Sequence, residues 1–119
     1  MRNTLLAFSL LLSSLINAAP VDTGHAEASL ITNLQNNQQE SFYLGVRLNM
    51  QDGWHTYWEN PGDSGGAFEA NWVTDEGIIV ENVEWPTPVT IPYPPLMTYG
   101  YEGDVIFPFK VFRATDAEL

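Results

Sequence analysis

The chain has 119 residues, no cysteine, and 15 acidic against 4 basic residues, which gives a formal net charge of -11 at pH 7. This length suits one domain with a single hydrophobic core. The acidic balance argues against nucleic acid and anionic lipid as partners, because their phosphates would be repelled. Without cysteine, no disulfide can stabilise the fold.

The first nineteen residues are predicted to be a signal peptide. Arg2 supplies the positive start, residues 5–16 are an apolar run too short to span a bilayer comfortably, and Ala18 and Ala19 suit a cleavage site. Cleavage would remove Arg2 and no acidic residue, which leaves 15 acidic against three basic residues and a charge of -12. Residues 20–119 are predicted to form a β-sandwich domain.

The pattern of the mature chain has a period of two. Apolar and polar positions alternate across residues 41–50, which is typical of a half-buried strand. Residues 25–34 are a weaker strand candidate, and the polar residues 35–40 connect the two. Asp52-Gly53 is a turn signal that leads into a further strand over residues 54–60.

Three more strands are predicted downstream, over residues 68–73, 78–85 and 104–113. In the last strand, Pro108 predicts an edge position or a bulge, because proline donates no ladder hydrogen bond. The proline-rich residues 86–103 are expected to cross between sheets or cover one end, since prolines disfavour a central strand. Six strands with turns between them predict an all-β, antiparallel sandwich.

The stretch Gly62-Asp63-Ser64-Gly65-Gly66 matches the residues around the reactive serine of trypsin-like proteases. That chemistry needs a histidine and an aspartate beside the serine and an oxyanion hole. The chain has only two histidines, His25 and His55, and lacks the length for two barrels. The stretch is therefore interpreted as a loop of turn-forming residues.

Metal chemistry is weakly indicated. Asp52, Glu59 and Asp63 have no EF-hand spacing, so a solvated acidic surface is the preferred interpretation. A soft site built from His55 and methionines is also disfavoured, because a single histidine among tryptophans is more often a packed side chain. We expect no metal and no cofactor in this chain.

Two longer motifs carry a family resemblance. The first is "GWHTYWENPGDSGG" at residues 53–66, and the second is "YGYEG" at residues 99–103. Together they resemble the N-terminal periplasmic region of DsbD-family thiol:disulfide interchange proteins, in the branch that includes ScsB. The resemblance covers roughly residues 26–111 and is far more specific than GDSGG alone.

The resemblance implies an immunoglobulin-like sandwich in the periplasm. It also implies a parent protein whose membrane-embedded part carries reducing equivalents outward, and whose N-terminal region passes electrons to periplasmic thiol-disulfide proteins through a cysteine pair. The chain departs from that pattern because it has no cysteine. Exchange requires a thiolate, so the cysteine pair and the membrane helices are expected beyond residue 119, and the sandwich is expected to be incomplete at its C-terminus.

The motif positions receive structural roles first. Tryptophans are expected to fill the sandwich, and glycines are expected to supply backbone freedom: Trp54, Trp58, Trp72, Gly62, Gly65 and Gly100. The candidates for an exposed binding surface are His55, Tyr57, Tyr99 and Tyr101; no catalytic residue is expected.

The leading functional hypothesis is a non-catalytic module of a periplasmic disulfide-reductase system that docks partners while cysteines elsewhere transfer electrons. An independent carbohydrate- or protein-binding module is the alternative, since exposed tryptophan and tyrosine can stack on sugar rings. A hydrolase that uses Ser64 is the least favoured hypothesis.

Overall fold

The computed structural model describes residues 19–36 and 38–114. Residues 1–18 of the predicted signal peptide lie outside this described part. The described chain is all-β, and its strands are β1 (Val21–Asp22), β2 (Ala26–Thr32), β3 (Ser41–Met50), β4 (His55–Gly62), β5 (Ile78–Val83), β6 (Val89–Tyr93), β7 (Leu96–Glu102) and β8 (Asp104–Arg113).

The strands form two antiparallel sheets, which confirms the predicted sandwich. The larger sheet has the order β1-β2-β3-β8-β5, and the smaller sheet has the order β4-β7-β6. At its centre, β3 pairs with β8 in one continuous register from Ser41 opposite Phe112 to Asn49 opposite Asp104. The alternating residues 41–50 are a strand with the predicted bounds.

The core lies on the face of β8 that carries the odd-numbered residues. Phe107 is 0% exposed and Val111 is 1% exposed, whereas the even-numbered Ile106 is 43% exposed on the opposite face. Phe107 and Phe109 lie opposite Val46 and Leu44 of β3, so both strands turn their apolar rows inward. Burying a side chain of this size contributes about 2–3 kcal/mol, and the period-two pattern therefore fixes which face is inside.

A bulge allows β5 to place two valines on the core. Its register against β8 shifts between Val80, opposite Val111, and Val83, opposite Phe109. Residues three apart in a regular strand point to opposite faces, but the extra residue in the bulge brings both valines to the inner face, where they pack on the core.

Pro108 is not on an edge strand, so that part of its prediction is wrong. β8 has a strand on each side. The Pro108 carbonyl accepts a 2.9 Å hydrogen bond from the backbone N of Glu84, one residue after β5 ends. The N–H and C=O of a strand residue point to the same neighbouring strand, so an N–H at position 108 would also point toward the β5 side. Because β5 has already ended there, the proline removes no ladder hydrogen bond.

The proline-rich segment forms a hairpin rather than a crossing, which corrects the prediction. Strands β6 and β7 pair from Val89 opposite Gly100 to Tyr93 opposite Leu96, with Pro94 and Pro95 in the turn. β7 is the central strand of the smaller sheet, but it contains no proline. Pro92 lies on the edge strand β6, where a missing N–H costs no ladder bond.

Residues 68–73 alternate as predicted but form no strand. Phe68, Ala70 and Trp72 pack against the core, yet the backbone of this segment has only one bond to a strand, from Phe68 N to the Tyr57 carbonyl at 3.1 Å. The period-two pattern therefore correctly indicates which side chains face the core. The segment is not a strand because its backbone does not form a ladder of hydrogen bonds with a neighbouring strand.

The tryptophans divide between the core and the surface. Trp58 and Trp72 pack against the core as predicted. Trp54 does not, because it is 47% exposed and lies in the turn before β4.

Candidate functional site

The four predicted site residues lie on two adjacent strands, β4 and β7, but on opposite faces of the smaller sheet. His55 pairs with Glu102 and Tyr57 pairs with Gly100, whereas Tyr101 pairs with Thr56. Alternation along the strands therefore puts His55 and Tyr57 on the outer face and Tyr99 and Tyr101 on the inner face. The structure brings together two of the four residues as a surface pair.

His55 and Tyr57 form a hydrogen-bonded pair. Nε2 of His55 is 3.0 Å from the Tyr57 hydroxyl, and the two rings meet edge to face with centroids 5.0 Å apart. Both side chains are half-buried. A hydroxyl and an imidazole can each donate or accept, so the pair can offer a polar group to a partner while its rings supply apolar area.

The glycine loop holds the Tyr57 ring in place. Gly65 has a φ of 91°, and a Cβ at this position would overlap the Tyr57 ring, so the ring lies directly against the loop backbone. Asp63 fastens the loop to β7: its carboxylate accepts a 2.8 Å bond from Met97 N, and its own N donates to the Met97 carbonyl at 3.0 Å. The GDSGG stretch therefore supports the Tyr57 ring on the outer face of the smaller sheet.

Ser64 does not belong to a catalytic triad. Its side chain is exposed, and it takes part in none of the hydrogen bonds found across residues 19–36 and 38–114. His55, the nearer histidine in sequence, bonds to Tyr57 instead. Among the described residues, no base is hydrogen-bonded to Ser64, as a serine nucleophile would require.

Tyr101 is a core residue, which corrects its expected place on an exposed surface. It is 5% exposed, its ring packs edge to face on Phe107, and its hydroxyl donates a 2.8 Å bond to the Pro86 carbonyl. Burial raises the pKa of its phenol, and the charge of Glu59 raises it further. Tyr99 is half-buried and meets the Trp58 ring edge to face at 6.4 Å.

Gly100 permits the close approach of β4 and β7. A Cβ on Gly100 would overlap the Thr56 carbonyl oxygen. Only glycine leaves the two backbones free to pair at this point, directly beneath Tyr57.

A stack of His25 on Trp54 was missed by sequence reasoning. The ring centroids are 3.6 Å apart and the planes are 10° from parallel. Gln51 joins the two segments, because its N bonds the His25 carbonyl and its carbonyl accepts from Trp54 N, each at 3.0 Å. The stack ties the start of β2 in one sheet to the start of β4 in the other, and no local pattern signals a contact between residues this far apart in the chain.

No three acidic or histidine side chains converge as metal ligands within residues 19–36 and 38–114. The part of the chain that the structure describes also holds no helix long and apolar enough to cross a bilayer.

The two antiparallel sheets and their strand orders define an immunoglobulin-like β-sandwich domain. The chain matches the family model described as "Thiol:disulfide interchange protein DsbD, N-terminal" over residues 26–119. It therefore belongs to that family, as its two motifs indicated.

One solved structure shares the fold. The crystal structure of the N-terminal periplasmic domain of ScsB from Proteus mirabilis superposes with a TM-score of 0.63 at 24% sequence identity. The match covers 83% of this chain and 39% of that one, so this chain spans well under half the length of that structure. No curated protein shows a significant match.

Proposed function

We propose that this chain is a non-catalytic periplasmic module of a thiol:disulfide interchange system, which docks partners while cysteines outside the chain transfer electrons. Membership of the DsbD N-terminal family carries the proposal. The chain itself has no cysteine. Because exchange proceeds through a thiolate that attacks a disulfide sulfur, the contribution of this chain would be binding and positioning.

The docking surface in this proposal is the outer face of the smaller sheet around His55 and Tyr57. Two features support it. The two side chains are hydrogen-bonded to each other, and Tyr57 is held against the Gly65 loop. Aromatic side chains held in one conformation lose little entropy on binding, which is why they dominate protein interfaces. Tyr99 and Tyr101 would support this surface from the inner face.

The partners in the proposal are periplasmic thiol-disulfide proteins and the membrane-embedded part of the parent protein. The periplasmic location rests on the family and on the predicted signal peptide. The strongly acidic surface would favour partners that present basic or neutral surfaces.

Photo-crosslinking of the full-length gene product in the periplasm of a Gram-negative host tests the proposal. Benzoylphenylalanine replaces Tyr57 in one variant and Tyr93 in a matched control; Tyr93 is 76% exposed and lies at the end of β6 in the same sheet. We expect crosslinks from position 57 to proteins that contain a redox cysteine pair, or to the membrane part of the parent. Identical products from both positions would contradict the proposal. So would products from position 57 that are neither proteins with a redox cysteine pair nor the membrane part of the parent.

A further inference from the structure

An open groove of about 750 Å³ lies beside the irregular segment 68–73, away from the His55 and Tyr57 pair. One wall is this segment and the other is β5. Aromatic rings of Trp72, Trp85 and Phe109 line the groove. It is large enough for a chain segment rather than for a single side chain, and nothing in the proposed docking role uses it.

The groove has one sign of charge. Glu59, Glu69 and Glu81 line it, each on a different element, and no lysine, arginine or histidine does. Carboxylates at the rim of an aromatic wall match a Lys or Arg side chain, whose charge pairs with the acid while its stem or guanidinium plane lies on the ring. The charge of the whole chain, -11, would reinforce the attraction.

The groove also borders a sheet edge. β5 is the last strand of the larger sheet, and within the described residues no strand pairs with its outer side. The Thr74 hydroxyl donates a hydrogen bond to the carbonyl of Ile78, which is the first residue of β5. The bulge between Val80 and Val83 sets Glu81 on this stretch of the edge. An edge of this kind binds extended peptides by strand addition.

We infer that the groove between β5 and residues 68–73 binds a basic, extended peptide segment of another protein. The segment lies along the outer edge of β5, and its Lys or Arg side chains contact Trp72 and pair with Glu69 and Glu81. This site is separate from the surface around Tyr57.

Calorimetric titration of the purified, exported protein with short peptides tests the inference. The probe alternates lysine and valine, and the two controls replace every lysine with glutamate or with serine. We expect the lysine peptide to bind and both controls to fail. Binding of the serine peptide with equal affinity would overturn the role of charge, and failure of the lysine peptide to bind would overturn the site.

Matched variants locate the binding. Glu69→Gln with Glu81→Gln should weaken the lysine peptide by about tenfold, since two exposed ion pairs are lost. Glu27→Gln removes one such charge from β2, three strands away from β5 in the larger sheet, and should leave the affinity unchanged. All three positions are exposed, so circular dichroism should show an unchanged fold. If Glu27→Gln weakens binding by as much per charge removed, the attraction is diffuse and the site is contradicted.

A lysine peptide with alternate N-methylated amides keeps its charges but cannot pair as a strand. It should bind at least about tenfold more weakly than the parent peptide, because strand addition depends on the backbone bonds. Equal binding would limit the site to its side-chain contacts and overturn the strand addition. Sedimentation without peptide gives a further check: a dimer that Glu81→Gln changes would make a second copy of the chain the occupant of β5. None of these readouts depends on Tyr57, so the failure of this inference and the failure of the docking proposal are distinguishable.

Discussion

The ring of Phe68 lies flat against the ring of Phe107, with centroids 3.9 Å apart and planes 6° from parallel. Phe107 is fully buried on β8, whereas Phe68 belongs to a segment outside both sheets. This stack, together with the edge-to-face contact of Trp72 on Phe109, attaches residues 68–73 to the core. The packing of its side chains therefore holds this segment in place, because its backbone makes only one hydrogen bond to a strand.

Phe68→Ala should lower the free energy of unfolding by about 3 kcal/mol, because it leaves a cavity beside Phe107. Urea denaturation followed by tryptophan fluorescence measures this change. Val73→Ala in the same segment is the control, since Val73 is 101% exposed and its loss should change stability by less than about 0.5 kcal/mol. Equal effects of the two substitutions would contradict the stacked arrangement.

Gly100→Ala should destabilise the protein by about 1–3 kcal/mol, because its Cβ would overlap the Thr56 carbonyl and force β4 and β7 apart. Gly66→Ala makes the same chemical change where a Cβ meets nothing within 4 Å. It should be neutral or slightly stabilising. Thermal unfolding of both variants checks the difference, and a tolerated Gly100→Ala would show that the strands are not so close.

Gly65→Ala should disturb the Tyr57 ring as well as the backbone. The φ of Gly65 is 91° and that of Gly24 is 96°, so alanine is strained by about 1 kcal/mol at either position. Only at Gly65 does the new Cβ also meet a side chain, the Tyr57 ring. We expect Gly65→Ala to cost more stability than Gly24→Ala and to shift the Tyr57 resonances in NMR spectra. Unchanged Tyr57 resonances would remove the loop from its supporting role.

The ion pair of Arg47 with Asp104 predicts a pH dependence. Arg47 Nε donates to the Asp104 carboxylate at 2.9 Å, and this hydrogen bonding holds the pKa of Asp104 below its ordinary value of 3.8. A carboxyl whose pKa is lower in the folded state stabilises the fold above its ordinary pKa, and the contribution is lost as the pH falls through the folded pKa. Wild type should therefore exceed Asp104→Asn in stability near neutral pH, and the difference should shrink as the pH falls below 3.8.

Urea midpoints measured across this pH range check the prediction. Arg47→Gln removes the same pair, so it should follow the Asp104→Asn profile, and the double variant should show little further change. Both side chains are about half exposed, so salt at about 1 M should also reduce the effect. A constant difference at every pH would mean that Asp104 stabilises the fold in another way.

The sequence by itself determined the fold class and the strands that alternate. Residues 41–50 and 104–113 are strands because their apolar residues recur every second position, which is a local property. The sequence also predicted the glycine loop. Gly62 and Gly65 have positive φ angles, which glycine adopts without steric strain whatever its neighbours are. The family, too, could be read from the two motifs.

Only the tertiary structure decided where each strand lies and which aromatic side chains are exposed. Trp54 and Tyr101 each follow a glycine in one of the two motifs, yet Trp54 stacks on His25 at the surface and Tyr101 packs on Phe107 in the core. Residues 68–73 carry a strand pattern but have no ladder, and Pro108 lies inside a sheet because β5 ends beside it. These outcomes depend on which segment becomes a neighbour. Such contacts form between residues far apart in the chain, and a local pattern of polarity does not encode them.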